Sequence, residues 1–193
     1  MTYHNTYYAL RHGISTANEQ QLVVSDPDNG VSSYGLSEAG ISDSKKKFEL
    51  LKSKVPFEKT AVVCITSDFA RAKETAELFC EVFSLEKPII DQRLRERFFG
   101  DFELQSSENY HKIWAFDENS ADHTEFGCES SHSVATRIRA LITNLEEKYQ
   151  GQSLVLVSHG DTLQITQTVF KGLESNLHRS LPHLNNAELR RLY

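Results

Sequence analysis

The alternation of short apolar runs with helix-like segments is the feature that most constrains this chain. Three runs, residues 7–10, 61–66 and 153–158, are almost continuously apolar, as in strands buried on both faces of a sheet. A weaker run covers residues 87–91, and residues 187–193 are interpreted as an edge strand. The chain therefore supplies several strands that each need cover on both sides.

Amphipathic segments lie between these runs and predict that cover. In residues 69–83 and 131–149, apolar side chains recur at spacings of three and four, which is typical of helices that bury one face. Ser130 or Ser131 is the expected cap of the second helix, and a further helix is expected after residue 160. Alternating strands and helices predict an α/β fold of three layers (α/β/α), with a mostly parallel sheet and helices on both faces.

Length and composition limit the domain organisation and the partners. The 193 residues, with 39% hydrophobic and 25% charged residues and no internal repeat or linker, predict a single domain over residues 1–193. A net charge of −6 argues against sequence-independent nucleic-acid binding, and the apolar runs are too short to span a bilayer. With no signal peptide and three cysteines without CxxC spacing, we expect a cytoplasmic protein with reduced, buried thiols. The oligomeric state is not readable from the sequence.

Charged and histidine side chains follow four of the predicted strands. In parallel sheets, ligands bind beyond the carboxyl ends of the strands, so residues after different strands are expected to share one edge. These residues are Arg11, His12 and Gly13 after the first run, Arg71 at the start of the helix after the second, Glu96 after the weaker run, and Ser158, His159 and Gly160 after the last long run. Arginines, histidines and one carboxylate are thus predicted at a single site.

This set of side chains favours phosphoryl transfer to a histidine. A neutral imidazole such as that of His12 can attack phosphorus and carry the group covalently, and arginines bind the charged oxygens. Gly13 and Gly160 leave room for backbone N–H groups, and the helix after residue 160 adds a favourable dipole. Glu96 is the expected proton donor for the leaving alkoxide. We expect the surrounding cations to keep Glu96 ionised until a bound phosphate favours its protonated form.

The same segments resemble the histidine phosphatase superfamily, the branch that includes cofactor-dependent phosphoglycerate mutases and small phosphatases. They are, in chain order, "ALRHGISTAN", "YGLSEAG", "TSDFARAKETAELF", "LRERFFGDFE", "GCES", "VLVSHGDTL" and "NNAELRRL". The resemblance covers nearly the whole chain and implies a phosphoglycerate mutase-like fold. It implies that His12 is phosphorylated, that Arg11, Arg71 and His159 hold the phosphoryl group with help from Asn18, and that Glu96 donates a proton.

The resemblance also implies that no metal or other cofactor is needed. The eight histidines show neither HExxH spacing nor a carboxylate cluster of the kind that metal ligation requires. A nucleotide-binding P-loop is excluded because the sequence has no such glycine-rich run ending in Lys and Ser or Thr.

A phosphatase is favoured over a mutase. Residues 106–130 hold no Arg-Arg pair and no proline, features that the mutases use to hold a bisphosphate, and the mutases also have a tail after the last strand. We therefore expect hydrolysis of phosphate monoesters of small metabolites, without nucleic-acid or membrane partners. A mutase-type phosphotransferase and an inactive phospho-ligand binding protein of the same fold stay open as alternatives.

Several residues keep two interpretations at this point. Residues 19–35 are long and irregular and are expected over the site, with Ser25 or Tyr34 as substrate contacts. Asn18 could serve the turn alone, and Glu96 could form a surface ion pair with Arg95 or Arg97. His111, Trp114 and Asp117 share one helix face that serves either the core or the substrate, and Glu129 either bonds backbone or reaches the pocket. The remaining histidines, His4, His123, His132, His178 and His183, are expected to be solvated or structural.

Overall fold

The computed structural model describes residues 3–54, 57 and 61–193. Within these residues the chain forms a five-stranded sheet. The strands are β1 (Thr6–Arg11), β2 (Val62–Thr66), β3 (Ile89–Ile90), β4 (Ser153–Ser158) and β5 (Leu189–Arg191). Their order is β3-β2-β4-β1-β5, and β5 is antiparallel to β1 while the other neighbours are parallel. The predicted mostly parallel sheet is confirmed.

The three helices predicted at 69–83, 131–149 and after 160 are present, and four further helices connect other parts of the described chain. In chain order the helices are α1 (Thr16–Glu19), α2 (Pro27–Gly30), α3 (Glu38–Lys52), α4 (Ala70–Phe83), α5 (Tyr110–Asp117), α6 (Ser131–Lys148) and α7 (Gly160–Lys171), of which α4, α6 and α7 are the three predicted. Short 3-10 turns cover Gln92–Leu94, Gly100–Phe102, Ser107–Asn109, Glu125–Gly127 and Ser175–Ser180. Ser130, rather than Ser131, caps α6, because its Oγ accepts from Ser133 N–H. No helix within the described ranges combines the length and apolar character needed to cross a bilayer.

The sheet separates two apolar layers, which confirms the three-layer architecture. Side chains alternate along each strand, so Tyr7 and Leu154 pack against α6 and α7 while Leu10 and Val155 pack against α3 and α4. Every residue of the central strand β4 is buried. The three cysteines, Cys64, Cys80 and Cys128, are free and buried.

The two edges of the sheet are less regular than the centre. The weak run at 87–91 forms a strand over Ile89 and Ile90 alone, and both side chains are exposed because β3 is an outer strand. At the other edge β5 runs antiparallel to β1, as the edge-strand interpretation of the final residues anticipates. Short and irregular edges limit unwanted pairing with other chains.

Parallel pairing brings the ends of three strands to one edge. Arg11 is paired with Ser158 across β1 and β4, and Thr66 with Val157 across β2 and β4. The next residues continue this register, because His12 N–H donates to Ser158 O and Ser67 N–H donates to Val157 O. The loops after β1, β2 and β4 therefore meet, and this edge holds the site.

Gly40 on α3 makes a close approach to the loop after β1. A Cβ atom at this position would lie 1.9 Å from the backbone oxygen of Ile14. In an unconstrained helix Gly→Ala stabilises by about 1 kcal/mol, whereas overpacking against rigid backbone costs about 1–3 kcal/mol or more. We expect Gly40→Ala to lower the free energy of unfolding, measured by denaturant titration.

Ser42→Ala, at an exposed position of the same helix, is the matched control. It gains helix propensity without the clash and is expected to leave stability unchanged or slightly raised. A stabilising Gly40→Ala would show that α3 is not held against the loop.

Candidate active site

A cavity of about 260 Å³ opens at the edge where the strand ends meet. Most of the predicted site residues line it: Arg11, His12, Asn18, Arg71, Glu96 and Gly160. His159 and Ser25 do not line it. Loops that are distant in sequence thus contribute to one concave surface.

His12 is fixed in the tautomer that leaves Nε2 free to attack. Its Nδ1 lies 2.7 Å from Gly13 O, and because a carbonyl oxygen can only accept, Nδ1 carries the proton. Burial, followed by the charges of Arg71 and Arg11, holds the pKa of His12 well below its usual range. The ring is therefore neutral, with a lone pair on Nε2.

A buried guanidinium, that of Arg71, contacts this nitrogen, and the partly buried Arg11 guanidinium lines the same cavity. Arg71 Nε donates to His12 Nε2 at 3.2 Å, and its Nη2 donates to Val24 O at 2.8 Å. Arg11 Nη1 lies 2.7 Å from His183 Nε2 and donates to Leu184 O at 2.8 Å. All of these partners are uncharged, so neither cation is neutralised by a directly bound carboxylate in the described part of the chain.

Three buried nitrogen atoms of this group lack a hydrogen-bond partner among the described residues. They are Arg11 Nε, Arg71 Nη1 and His159 Nδ1. The His159 ring lies 5.2 Å from the His12 ring between centroids, and its Nε2 contacts Ser67 Oγ at 3.0 Å. Leaving a buried donor unsatisfied costs about 1–3 kcal/mol. An anion with several acceptor oxygens beside His12 would satisfy this set.

The loop that carries His12 is held by two residues that the sequence interpretation does not single out. Gly13 N–H donates to Thr75 Oγ1 at 3.0 Å, and Thr75 Oγ1 donates to Arg71 O. Asn186 Nδ2 donates to His12 O at 3.1 Å and to Gly13 O at 3.2 Å. Thr75 lies in the segment "TSDFARAKETAELF" and Asn186 in "NNAELRRL", so the motifs contained them, but nothing in the sequence showed which backbone groups they bind.

Glu96 is buried at the cavity, and its two carboxyl oxygens differ in their contacts. Its Oε1 accepts from Arg97 N–H at 3.0 Å and from both the N–H and the hydroxyl of Thr162 at 3.1 Å. These donors fix the carboxyl plane, and Oε2 makes no hydrogen bond to any described residue. The surface ion pair with Arg95 or Arg97 is not formed, since Arg95 bonds to Asp68 and Arg97 to Asp117.

The pKa of Glu96 differs from the expected direction. Burial, and then the nearby Asp161 carboxylate, raise the pKa of Glu96 above its usual value, and Arg71 only partly opposes them. Cations were expected to dominate and keep this group ionised. Burial has the larger effect on the pKa of Glu96, because little of this residue is exposed to solvent even though it lines the cavity.

Asn18 makes the turn contact and also lines the cavity, while its predicted contact with phosphate stays a prediction. Its Oδ1 accepts from Ser15 N–H and Ser15 Oγ, both at 3.1 Å, which closes a capping box at the start of α1. The residue also lines the cavity, with its Nδ2 group uncommitted in the described contacts. At Gly160, a Cβ would lie 3.1 Å from His183 Cε1, a tight contact, so glycine lets the His183 ring pack closely at the start of α7.

The segment 19–35 contributes to the wall through residues other than those expected. Ser25 is buried and its hydroxyl donates to Glu103 Oε2 at 2.7 Å and accepts from Phe99 N–H at 3.0 Å, which directs it away from the cavity. Tyr34 does not line the cavity either. Gln21, Leu22 and Val24 do, because the chain bends toward Ser106 at the bridge that Leu22 forms.

Five further lining residues come from α5, the turn before it, the start of α7 and the loop before β5. The residues are Ser107, Tyr110, Trp114, Asp161 and His183. Of the three residues predicted on one face of α5, Trp114 lies at the cavity, Asp117 is buried in the core and His111 is exposed. His183 was expected to be solvated or structural, and its contact with Arg11 instead places it in the wall.

A buried charge network supports this wall from behind. Arg97, fully buried, donates to both oxygens of Asp117 and to Asp161 Oδ2 at 3.2 Å. His178 Nε2 lies 3.3 Å from Asp161 Oδ1, and Trp114 Nε1 donates to the same oxygen at 3.0 Å. Burial alone would raise the pKa of Asp161, but these charges hold it well below its usual range. Asp161 is therefore an anion that fixes the Trp114 ring.

Glu129 belongs to a separate ion pair outside the cavity. Its Oε1 accepts from Arg137 Nε at 2.9 Å, and its Oε2 accepts weakly from Phe98 N–H. Of the two interpretations of Glu129, the hydrogen bond to backbone is present, and Glu129 does not line the cavity. Within the described residues, no group of three or more histidine, cysteine and acidic side chains has the arrangement of a metal site.

Comparison with known proteins places this geometry in a family. The model of the histidine phosphatase superfamily (branch 1) matches residues 7–193. A probable phosphoglycerate mutase of Photorhabdus laumondii is 29% identical over 191 residues, which cover 96% of this chain and 83% of that protein. A 2,3-bisphosphoglycerate-dependent phosphoglycerate mutase of a Chelativorans species is 28% identical over 177 residues, covering 87% and 82% of the two chains.

A solved structure shows the same fold. Mycobacterial glucosyl-3-phosphoglycerate phosphatase superposes with a TM-score of 0.78 at 24% identity, over 95% of this chain and 90% of that chain. The expected phosphoglycerate mutase-like architecture is thereby confirmed.

The buried network predicts a large loss of stability on removal of its cation. Arg97→Met leaves the buried carboxylates of Asp117 and Asp161 without their guanidinium partner. Breaking a buried pair in this way costs about 3–5 kcal/mol. We expect a decrease of this size in the free energy of unfolding, measured by denaturant titration at neutral pH.

Arg93→Met is the control, because the Arg93–Asp91 pair is partly exposed. Its removal is expected to cost less than about 1 kcal/mol. Equal losses in the two variants would contradict the assigned role of the network.

Proposed function

Because this chain belongs to branch 1 of the histidine phosphatase superfamily, we propose that it is a metal-independent phosphatase that hydrolyses phosphate monoesters of small metabolites through a phosphohistidine on His12. The observation that carries the proposal is the unprotonated Nε2 of a buried, neutral His12, which contacts Arg71 and lies near Arg11, two guanidiniums with no carboxylate bonded to them among the described residues.

In the first step, His12 Nε2 attacks phosphorus in line with the ester oxygen. The N–P bond forms as the P–O bond to the alcohol breaks, and Glu96 Oε2 gives its proton to the leaving alkoxide. Arg71 Nε leaves His12 Nε2 to bind a phosphoryl oxygen, together with Arg11 and His159. These donors stabilise the charge on the three equatorial oxygens.

In the second step, water attacks the phosphohistidine. Glu96, now a carboxylate, accepts a proton from this water as the new P–O bond forms. The N–P bond breaks and returns neutral His12, whose Nδ1 keeps its proton and donates it in the hydrogen bond to Gly13 O. Inorganic phosphate leaves with Glu96 protonated again. One carboxyl serves as acid and then as base, which its raised pKa permits.

A mutase is the second candidate, since the relatives at 28–29% identity carry that name. A mutase returns the phosphoryl group to a bound product before water attacks, and for that it must hold a substrate with two anionic ends. The absence of an Arg-Arg pair and proline from residues 106–130 argues against such a site. An inactive binding protein is the third, and retention of His12, Glu96 and both arginines argues against it. Product analysis with 3-phosphoglycerate, with and without bisphosphoglycerate, separates phosphate release, isomerisation and no turnover.

The covalent intermediate gives a direct test. Brief reaction with a ³²P-labelled ester and alkaline denaturation are expected to leave label on the wild-type chain, stable to alkali and lost in acid, as for a P–N bond. His12→Ala is expected to lose the label and to reduce kcat/KM by roughly 10⁴-fold or more. His132→Ala, at an exposed histidine away from the cavity, is the control. Full activity in His12→Ala, or loss of turnover with a chelator, would refute the mechanism.

The role of Glu96 is tested by leaving groups of different basicity. Glu96→Gln is expected to reduce kcat/KM by about 10²–10⁴-fold for an alkyl phosphate, whose alkoxide needs a proton, and much less for p-nitrophenyl phosphate. Since the acid must be protonated, wild-type kcat/KM for the alkyl ester should fall as pH rises through the raised pKa of Glu96. In Glu96→Gln that limb disappears and the ionisation of the substrate alone remains. An unchanged pH profile would remove Glu96 from this role.

A further inference from the structure

Beside its charged groups, the cavity is lined by six uncharged side chains that the mechanism does not use as acid, base or nucleophile. We call this surface the outer wall, formed by Asn18, Gln21, Leu22, Ser107, Tyr110 and Trp114. It comes from α1 and the following loop on one side and from α5 and the turn before it on the other. A substrate whose phosphoryl group lies at His12 places its alcohol against this wall.

The two arginines that line the cavity belong to the proposed phosphoryl site at His12. Among the described residues that line the cavity, Arg11 and Arg71 are the two with guanidinium or ammonium groups, and both lie next to His12. His183 is not a third cation, because burial and the Arg11 charge lower its pKa to about 4. Arg179 stacks on Trp114 at 3.7 Å and donates to Gln164, but it does not line the cavity.

The lining also contains one group that is held as an anion. Asp161 lines the cavity and is held in its charged form by Arg97 and His178, whereas Glu96 is the protonated acid when substrate binds. A second phosphate or a carboxylate on the alcohol would therefore find no further cation in the described lining and would share the cavity with the Asp161 carboxylate. Like charges brought together in a partly enclosed site disfavour binding, and the uncharged side chains of the outer wall offer no opposite charge to offset the repulsion.

The outer wall does offer hydrogen bonds and apolar contact. Tyr110 is held rigidly, with its ring 4.6 Å from Phe99 and stacked 5.6 Å from Trp114 between centroids. Its hydroxyl makes no hydrogen bond to any described residue, and burial followed by the Glu96 charge raises its pKa, so it stays a donor. Asn18 Nδ2, the Gln21 amide and Ser107 Oγ add neutral polar groups, and Leu22 adds apolar surface. Such a surface matches hydroxyl groups on a short carbon skeleton.

We infer that the outer wall is a leaving-group subsite for an uncharged polyhydroxylated alcohol, so that the substrate is a sugar- or polyol-type monophosphate with no second anionic group. This inference rests on the proposed phosphatase function and narrows its substrate class. Tyr110 is a specificity-determining residue of this subsite, through its hydroxyl.

Matched esters test the charge preference. Glycerol 3-phosphate and 3-phosphoglycerate differ in a hydroxymethyl group against a carboxylate, and sorbitol 6-phosphate and 6-phosphogluconate differ in the same way. We expect kcat/KM for the neutral member of each pair to be higher by about tenfold or more. Equal values, or a preference for the carboxylates, would overturn the inference.

Variants of the wall give a second, independent readout. Ser107→Lys places a cation in the outer wall, and Ser107→Met matches its length without charge. Relative to Ser107→Met, the lysine variant is expected to raise the ratio of kcat/KM for 3-phosphoglycerate to kcat/KM for glycerol 3-phosphate about tenfold. No difference between the two variants would show that the carboxylate does not reach this wall.

Tyr110→Phe removes the hydroxyl and keeps the ring. We expect kcat/KM for sorbitol 6-phosphate to fall about 3–10-fold through KM, while p-nitrophenyl phosphate, which has no hydroxyl groups, is unaffected. An equal fall for both esters would indicate a structural role instead. If p-nitrophenyl phosphate turnover does not depend on His12, the proposed function itself fails. If it does depend on His12 and the anionic esters are preferred, the substrate inference alone fails.

Discussion

The contact between Arg71 Nε and His12 Nε2 is the interaction on which the site depends. It places a permanent positive charge against a neutral imidazole in a buried position, and burial together with that charge keeps the imidazole unprotonated. The tautomer is then fixed by Gly13 O on the other side of the ring. A nucleophile and the group that will bind the phosphoryl oxygens are thus positioned by the same pair of side chains.

The buried arginines Arg71 and Arg97 and the partly buried Arg11 have two different kinds of partner. Arg97 is paired with Asp117 and Asp161, so its charge is neutralised and the pair acts as a support for α5 and α7. Arg11 and Arg71 instead bond to carbonyl oxygens and imidazoles, which leaves their charge unneutralised. Burying a cation in this way is unfavourable by itself, and a bound phosphoryl group is the partner that offsets it. The difference in pairing separates structural from functional arginines.

The same division of charge extends across the cavity. The positive charge of the lining belongs to Arg11 and Arg71 at the phosphoryl site, Glu96 lies within the electrostatic influence of both Arg71 and Asp161, and the outer wall is uncharged. The proposed mechanism and the proposed substrate class both follow from this distribution of charge. The phosphate end of a substrate is recognised by charge, and its alcohol end by hydroxyl groups and shape.

Sequence alone determined the layers, the strand ends and the core of the site. Buried strands read as continuous apolar runs, and parallel pairing forces the residues after them to one edge, so Arg11, His12, Arg71 and Glu96 were predictable from position. The weak run at 87–91 was predicted too long, because an outer strand gains little from burial. Asn18 and Gly160 were found as members of motifs, with their contacts unspecified.

Tertiary structure decided what surrounds that core. Ser25 turned toward Glu103, His183 turned toward Arg11, and Tyr110 and Trp114 came to the cavity from a helix whose apolar spacing is equally compatible with packing. The sign of the Glu96 pKa shift was also decided there, because it depends on enclosure as well as on nearby charge. Side-chain direction in irregular loops and the depth of burial are set by contacts between segments far apart in the chain, which no local pattern of residues encodes.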